Sequence, residues 1–253
     1  MKPDLSSFNF AEGAQILINK PLRWTSFDAV GFLRKATKVK KIGHSGTLDP
    51  LATGLLILCT GKFTKKLTAL TGLDKEYTGT FTIGATTASY DLESEPENFK
   101  DFSQITDDEI IKASEKFIGT IEQIPPMFSA IKQDGQTLYD LARKGIEVEI
   151  KKRIVTIISF EITKINLPEI DFKIHCASGT YIRSIARDFG NELGCGAYLS
   201  ELTRTKVGEF CLENAYDVDE IAQFASIEVT TKGVKKRWYF NYHKGNKIMI
   251  NTL

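Results

Sequence analysis

The run from Ile42 to Cys59 constrains this chain more than any other. Its first part, Ile-Gly-His-Ser-Gly-Thr-Leu-Asp-Pro over 42–50, is too rich in glycine and turn formers for a regular element. Its last part, Leu55 to Cys59, is an unbroken apolar segment of strand length, as expected of a strand covered on both faces. A loop carrying Asp49 is therefore held against a core element. An aspartate before proline in such a loop is ordinarily a turn former through a side-chain-to-backbone hydrogen bond, so the loop alone does not establish chemistry.

The flanking sequence reads as alternating strands and helices. Ile16 to Ile18 is a short strand ending at Asn19-Lys20-Pro21, because Pro21 cannot continue a central strand. Thr25 and Asp28 form a capping-box pattern for a helix to about residue 36, with Phe27, Val30, Leu33 and Ala36 as its apolar stripe. Thr78 to Ala85 is a further strand, followed by an acidic connection through Phe102. Thr106 and Glu109 cap a helix to about Ile118, with Ile110, Ala113, Phe117 and Ile118 on its buried side. A short helix from about Thr137 to Lys144 ends at Gly145, and Arg153 to Glu161 suits a strand. Ile170, Phe172, Ile174 and Cys176 alternate with Asp171, Lys173 and His175, which predicts a strand with one buried face. Ser178-Gly179-Thr180 then turns into a helix whose stripe is Ile182, Ile185, Ala186 and Phe189, with Arg183 and Arg187 at its edge. Residues 204–210 read as an edge strand and Val218 to Phe224 as a short helix.

The net charge of +1 says nothing by itself about a partner; its distribution says more. The 33 Lys and Arg nearly cancel the 32 Asp and Glu, yet the signs are segregated. Acids gather between Asp91 and Glu115, while cations cluster at Arg34 to Lys41, Lys62 to Lys66, Lys151 to Arg153 and in a tail without Asp or Glu from Val229 to Leu253. A neutral chain can thus present a positive face to a polyanion. Four scattered cysteines without a CxxC pair, and no basic-then-apolar leader, point to a reduced, cytoplasmic protein. No run approaches the roughly 18 apolar residues of a membrane span. The three His and four Cys form no metal set, and no phosphate-cradling glycine motif is present.

The segment from Gly43 to Leu56 closely resembles the active-site motif of the TruB family of tRNA pseudouridine synthases. Further family segments match in the same order: Asn19-Lys20-Pro21, Lys75-Glu76-Tyr77, Pro125 to Lys132, Leu138 to Gly145 and Cys176 to Ser184. The resemblance covers about residues 12–212. It implies an α+β chain with the pseudouridine synthase fold, a mixed, largely antiparallel sheet with flanking helices and a central active-site cleft. It implies a catalytic domain over 1–225, containing an RNA-gripping, mobile insertion at about 125–153; composition adds a basic aromatic tail over 226–253, expected to pack on or near that domain. About 28 residues are too few for the PUA-type domain of longer relatives.

Carried over motif by motif, the resemblance places the catalytic aspartate at Asp49, the aromatic ring of the base pocket at Tyr77 and the arginine paired with the aspartate at Arg183. His44 falls on the histidine that fills the space vacated by the flipped nucleotide. Lys20 falls on a segment beneath the loop and either supports it or contacts phosphate; Leu202 is either a pocket wall or core filling. Lys132 and Arg143 supply cations within the insertion. The implied substrate is uridine 55 in the T loop of tRNA, recognised mostly by shape. The implied reaction breaks the bond from ribose C1′ to N1 and forms one from C1′ to C5, with no cofactor and no metal in the chemistry, no required protein partner, and a monomeric enzyme. An ionised aspartate serves either as nucleophile or as the base that generates a glycal. Where many relatives have Thr-Asp-Thr-x-Asp, this chain has Thr87-Ala88-Ser89-Tyr90-Asp91, keeping only the final carboxylate. Competing readings are a non-catalytic RNA-binding or tRNA-folding factor, an N-glycosidic hydrolase that would release free uracil, and a purely structural protein that leaves the loop sequence unexplained.

Overall fold

The computed structural model describes residues 2–129, 131–133, 135–146, 148–227, 238–243 and 246–251, with backbone alone for Lys132, Arg143 and the last two strands. In chain order the elements begin with β1 (Gln15–Lys20), α1 (Ser26–Thr37), β2 (Ile42–Ser45), β3 (Thr53–Thr60), α2 (Leu67–Gly72) and β4 (Lys75–Ile83). There follow α3 (Asp107–Glu115), β5 (Gly119–Gln123), β6 (Lys132–Gln133), β7 (Gln136–Thr137), α4 (Leu138–Arg143), β8 (Arg153–Asn166) and β9 (Glu169–Cys176). The chain closes with α5 (Ile182–Glu192), β10 (Ala197–Val207), β11 (Phe210–Cys211), β12 (Tyr216–Asp217), α6 (Val218–Ala225), β13 (Trp238–His243) and β14 (Asn246–Asn251). These form two compact units, Met1–Thr71 with Arg204–Leu253, and Gly72–Thr203.

In the first unit β1 pairs antiparallel with β3 and parallel with β12, and β2 lies antiparallel on β3. Leu55 to Cys59 are all fully buried, as an apolar run requires. α1 starts at the expected capping box, where Thr25 accepts from the Asp28 N–H and the Asp28 carboxylate accepts from the Thr25 N–H. Two expectations change here. The glycine-rich segment contains a real strand at 42–45, because β3 offers its backbone groups as partners and pairing overrides weak propensity. The buried face of α1 is Ser26, Ala29, Val30, Phe32 and Leu33, whereas Phe27 is 76% exposed.

In the second unit β4, β9, β8 and β5 follow one another antiparallel. The alternation at 170–176 is realised in full, with Ile170, Phe172, Ile174 and Cys176 buried. Phe81, Phe117, Phe160, Phe172 and Phe189 form one aromatic core, with ring centroids 4.2 to 6.3 Å apart. Truncating one of its fully buried rings to alanine costs about 3–5 kcal/mol. Gly79 of β4 is required by close approach, since a Cβ there would stand 2.2 Å from the Glu201 carbonyl oxygen of β10. α3 ends at Glu115, short of the expected 118, and leaves Ile118 exposed. The strand expected at 204–210 instead runs from Ala197 to Val207 and buries Arg204, so it is not an edge fragment.

Among the described residues no helix is long and apolar enough to cross a membrane. Of the expected tail, residues 228–237, 244–245 and 252–253 lie outside the described residues; β13 and β14 pair with each other as an antiparallel hairpin.

Candidate active site

The Asp49 loop is held from beneath by three buried side chains of the first unit. The Ser26 hydroxyl accepts from the Leu48 N–H at 2.8 Å and donates to the Leu48 carbonyl at 3.3 Å. The Arg204 guanidinium, 1% exposed, donates from Nε to Leu55 O at 2.7 Å and from Nη2 to Gly46 O at 3.2 Å, tying together the two ends of the loop. Lys20 is fully buried, and its ammonium donates to Trp24 O at 2.6 Å, Pro21 O at 3.0 Å and Pro50 O at 3.5 Å. Pro50 O also accepts from the Arg23 N–H at 2.7 Å. Gly46 takes a left-handed φ of 79°, a turn that a side chain would strain. Asp49 itself is half-buried, and its carbonyl accepts from the Ala52 N–H at 3.1 Å.

Of the two expectations for Lys20, the geometry is that of support. Burial pushes its ammonium down to about 8, opposed by the Asp49 carboxylate and reinforced by Arg204. The period-two alternation of β1 places Ile16, Ile18 and Lys20 on one buried face. That alternation was a readable sign that residue 20 turns inward. Arg204 carried no comparable sign and was missed.

His44 stands on β2 opposite Leu58, with the Phe27 ring edge-on at 5.5 Å. Burial lowers its pKa, with Arg204 adding to the effect and a Gly46 backbone hydrogen bond opposing it. The ring is therefore neutral at neutral pH. Phe27, expected in the core stripe, instead braces this imidazole.

In the second unit Tyr77 is 8% exposed on β4, in register with Ile174 of β9. Leu202 is half-buried on β10. Arg183 lies in the first turn of α5 and is 3% exposed rather than at a solvated edge. Its guanidinium donates to Ser89 O at 3.1 Å and Phe128 O at 2.8 Å, and its Nε lies 3.5 Å from an Asp91 carboxylate oxygen. Asp91 in turn accepts from the Ser89 hydroxyl at 2.6 Å and the Glu93 N–H at 3.0 Å. The departure at Ala88 thus leaves a carboxylate on Arg183, supplied by Asp91. The helix start is fixed without a side-chain cap of its own. Gln123 of β5 accepts from the Tyr181 N–H at 2.8 Å and donates to Tyr181 O at 3.1 Å, a positioning role that its sequence context did not signal.

The segment expected to grip RNA holds the β6–β7 hairpin and the single-turn-and-a-half helix α4. Lys132 lies in β6 and Arg143 ends α4; their side chains are outside the described residues. A cavity of about 520 Å³ is lined there by Tyr90, Pro125, Met127, Ile150, Lys151 and Lys152. Among the described residues no group of three or more His, Cys, Asp and Glu gathers as a metal site.

Two family models match the chain: the N-terminal domain of TruB family pseudouridylate synthases over residues 34–182, and the tRNA pseudouridylate synthase B C-terminal domain over 183–235. A protein of Flavobacterium johnsoniae named tRNA pseudouridine synthase B is 53% identical over 216 residues, covering 83% of this chain and 94% of that protein. One of the same name from Bacteroides fragilis is 49% identical, covering 85% and 95%. One from Clostridium tetani is 46% identical over 81% of this chain and 71% of its own. Among solved structures, a Cbf5-Nop10-Gar1 complex is similar with a TM-score of 0.64 at 28% identity, covering 87% of this chain and 58% of that one. An H/ACA RNP bound to a substrate RNA containing 2′-deoxyuridine is similar with a TM-score of 0.62 at 26% identity, covering 87% and 57%. The present chain therefore spans less than two thirds of those two structural relatives.

Proposed function

The chain belongs to the TruB family of pseudouridylate synthases, an isomerase family, and from that premise we propose that it converts uridine 55 in the T loop of tRNA to pseudouridine, with Asp49 as the reacting carboxylate. The observation that carries this reading is the way Lys20, Ser26 and Arg204 together hold the backbone on both sides of Asp49. A loop whose only task is to turn does not need two buried cations beneath it. A fixed carboxylate is what the chemistry demands, because attack on C1′ or removal of a ribose proton both need the oxygen placed before the substrate arrives.

In this reading the target base leaves its stack at a cost of a few kcal/mol, recovered by contacts in the pocket. Neutral, planar His44, braced by Phe27, fills the vacated space by stacking. Tyr77 forms the face of the pocket and Leu202 part of its wall. Arg183, charge-balanced by Asp91, supplies a fixed positive charge in this role. Lys132, Arg143 and the lysines of 151–152 grip the backbone of the T arm, and Lys20 acts from below the loop without touching RNA.

The test is tritium release from T-arm RNA labelled at uridine C5, with mapping of the product. Wild-type protein releases tritium and forms pseudouridine without free uracil. Asp49→Ala lowers turnover by more than about 10³-fold, while the RNA dissociation constant changes less than about threefold. Retention of activity by that variant sinks the assignment of Asp49, and wild-type protein that binds the RNA without forming product is the non-catalytic RNA-binding factor instead.

A further inference from the structure

Arg183 sits where a helix does not favour a cation. It occupies the first turn of α5, at the positive end of the helix dipole, and its side chain is buried. Its guanidinium is held from two separate segments. Ser89 O and Asp91 belong to one, a loop that the Ser89 hydroxyl closes by donating to the Asp91 carboxylate at 2.6 Å. Phe128 O belongs to the other, the stretch of chain that leaves β5.

That second stretch is fastened to the same helical turn at two further points. Ser184 is fully buried, and its hydroxyl donates to Ile124 O at 2.8 Å. A serine inside a helix ordinarily returns its hydroxyl to a carbonyl three or four residues back, so this bond reaches outward instead. Gln123, 1% exposed, spends both ends of its amide on the Tyr181 backbone, at 2.8 and 3.1 Å. Between Ile124 and Phe128 lie the buried Pro125 and Pro126. Each proline fixes its own φ near about −65° and confines the residue before it to extended backbone. The Ser129 N–H then closes on Met127 O at 2.9 Å. Residues 123–128 thus form a short, stiff strut, which the α5 turn grips at 123 and 124 and meets again at 128, against Arg183.

Apolar packing does not explain this choice of residues. A hydroxyl and an amide buried to this degree cost stability unless bonded, and alanine and methionine would occupy the same places without that demand. We propose that Ser184 and Gln123 are positioning residues for Arg183: they set the Phe128 carbonyl against the guanidinium and so fix the direction in which its charge acts. They govern how fast bound RNA is converted and leave its binding alone. The inference rests on the reading in which Arg183 serves the isomerisation, and adds to it the two side chains that aim this group.

The experiment compares wild type with Ser184→Ala, Gln123→Met, Arg183→Lys and the double variant Ser184→Ala with Arg183→Lys. Three quantities are measured: single-turnover tritium release from T-arm RNA labelled at uridine C5, the RNA dissociation constant, and the NMR resonance of the Arg183 Nε–H group. Ser184→Ala and Gln123→Met each slow release about tenfold, the effect of one lost buried hydrogen bond, while the dissociation constant changes less than about threefold. Both shift the Arg183 resonance. In the Arg183→Lys background the serine substitution changes the rate less than about twofold, because two residues acting through one contact are not additive. Urea unfolding checks that each variant is folded. If Gln123→Met is not, Ser184→Ala carries the test, and the Arg183 resonance decides if the lysine variant releases too little tritium to time. An unmoved resonance, an undiminished rate, or a rate loss of equal size in the Arg183→Lys background overturns the proposal. If wild-type protein turns over while neither variant moves rate or resonance, the positioning role fails and the enzyme reading stands. If the resonance moves but wild-type protein forms no product, the enzyme reading fails and the positioning of Arg183 stands.

Discussion

The two units hold their charged groups in opposite ways. In the first, Asp49 is placed through its backbone: side chains of Lys20, Ser26 and Arg204 grip carbonyls and an N–H along residues 46–55. In the second, Arg183 is placed through its own side chain, whose donors go to Ser89 O and Phe128 O and whose charge faces Asp91. Holding a group by its backbone fixes the point from which its side chain acts. Holding a group by its side chain commits its hydrogen bonds and makes it a fixed source of charge. The first mode suits a reacting group, and the second suits one that stabilises charge without being consumed.

The largest effect expected from breaking this contrast follows Asp91→Asn. The substitution keeps the shape of the side chain and removes a negative charge from beside a buried guanidinium, so it costs about 3 kcal/mol of stability. Turnover falls about 10²-fold as the charge network shifts. Urea unfolding and single-turnover tritium release report the two quantities. If both stay within twofold of wild type, Arg183 does not depend on Asp91 and the second half of the contrast is gone.

Ser26→Ala addresses the first half with a smaller expected effect. It strands the buried Leu48 N–H at a cost of about 1–3 kcal/mol, while Lys20 and Arg204 still hold the loop. Turnover drops about tenfold with KM unchanged, because the carboxylate is displaced after the RNA has bound. A rise in KM at constant kcat would instead make the Ser26 contact part of RNA binding.

The contrast also marks what could be read from sequence. Thr25 with Asp28 and Thr106 with Glu109 start the helices they were expected to start, since a capping box is a local contest for a few orphan N–H groups. The alternation through Cys176 is local as well. Arg204 and Gln123 are different: each is a polar residue whose partners lie far away in the chain, at Leu55 and at Tyr181. Nothing in their neighbourhoods announces that they turn inward. Phe27 misled for the converse reason, since an apolar side chain at helical spacing implies a core but here braces an imidazole. The proposed reacting residue, Asp49, is marked by its loop motif, whereas the residues that hold the loop largely are not.

Lys20 sharpens the contrast with the smallest effect, through pH. Its folded pKa is about 8, below the ordinary 10.5, with burial as the leading cause. Below pH 8 the amine is charged in both folded and unfolded chains, so the desolvation cost is present in full. Between about 8 and 10.5 the unfolded chain holds the proton more tightly, and stability attributable to this group rises with pH. Urea midpoints of wild type relative to Lys20→Met should therefore increase across that window and stay level below it. Turnover should fall no more than about threefold through the same range, because the neutral amine still donates to Trp24 O and Pro21 O and the loop keeps its shape. A flat difference in midpoints would mean that the ammonium is not desolvated in solution. A steep loss of turnover near pH 8 would mean that its charge, and not its grip on the backbone, is what Asp49 needs.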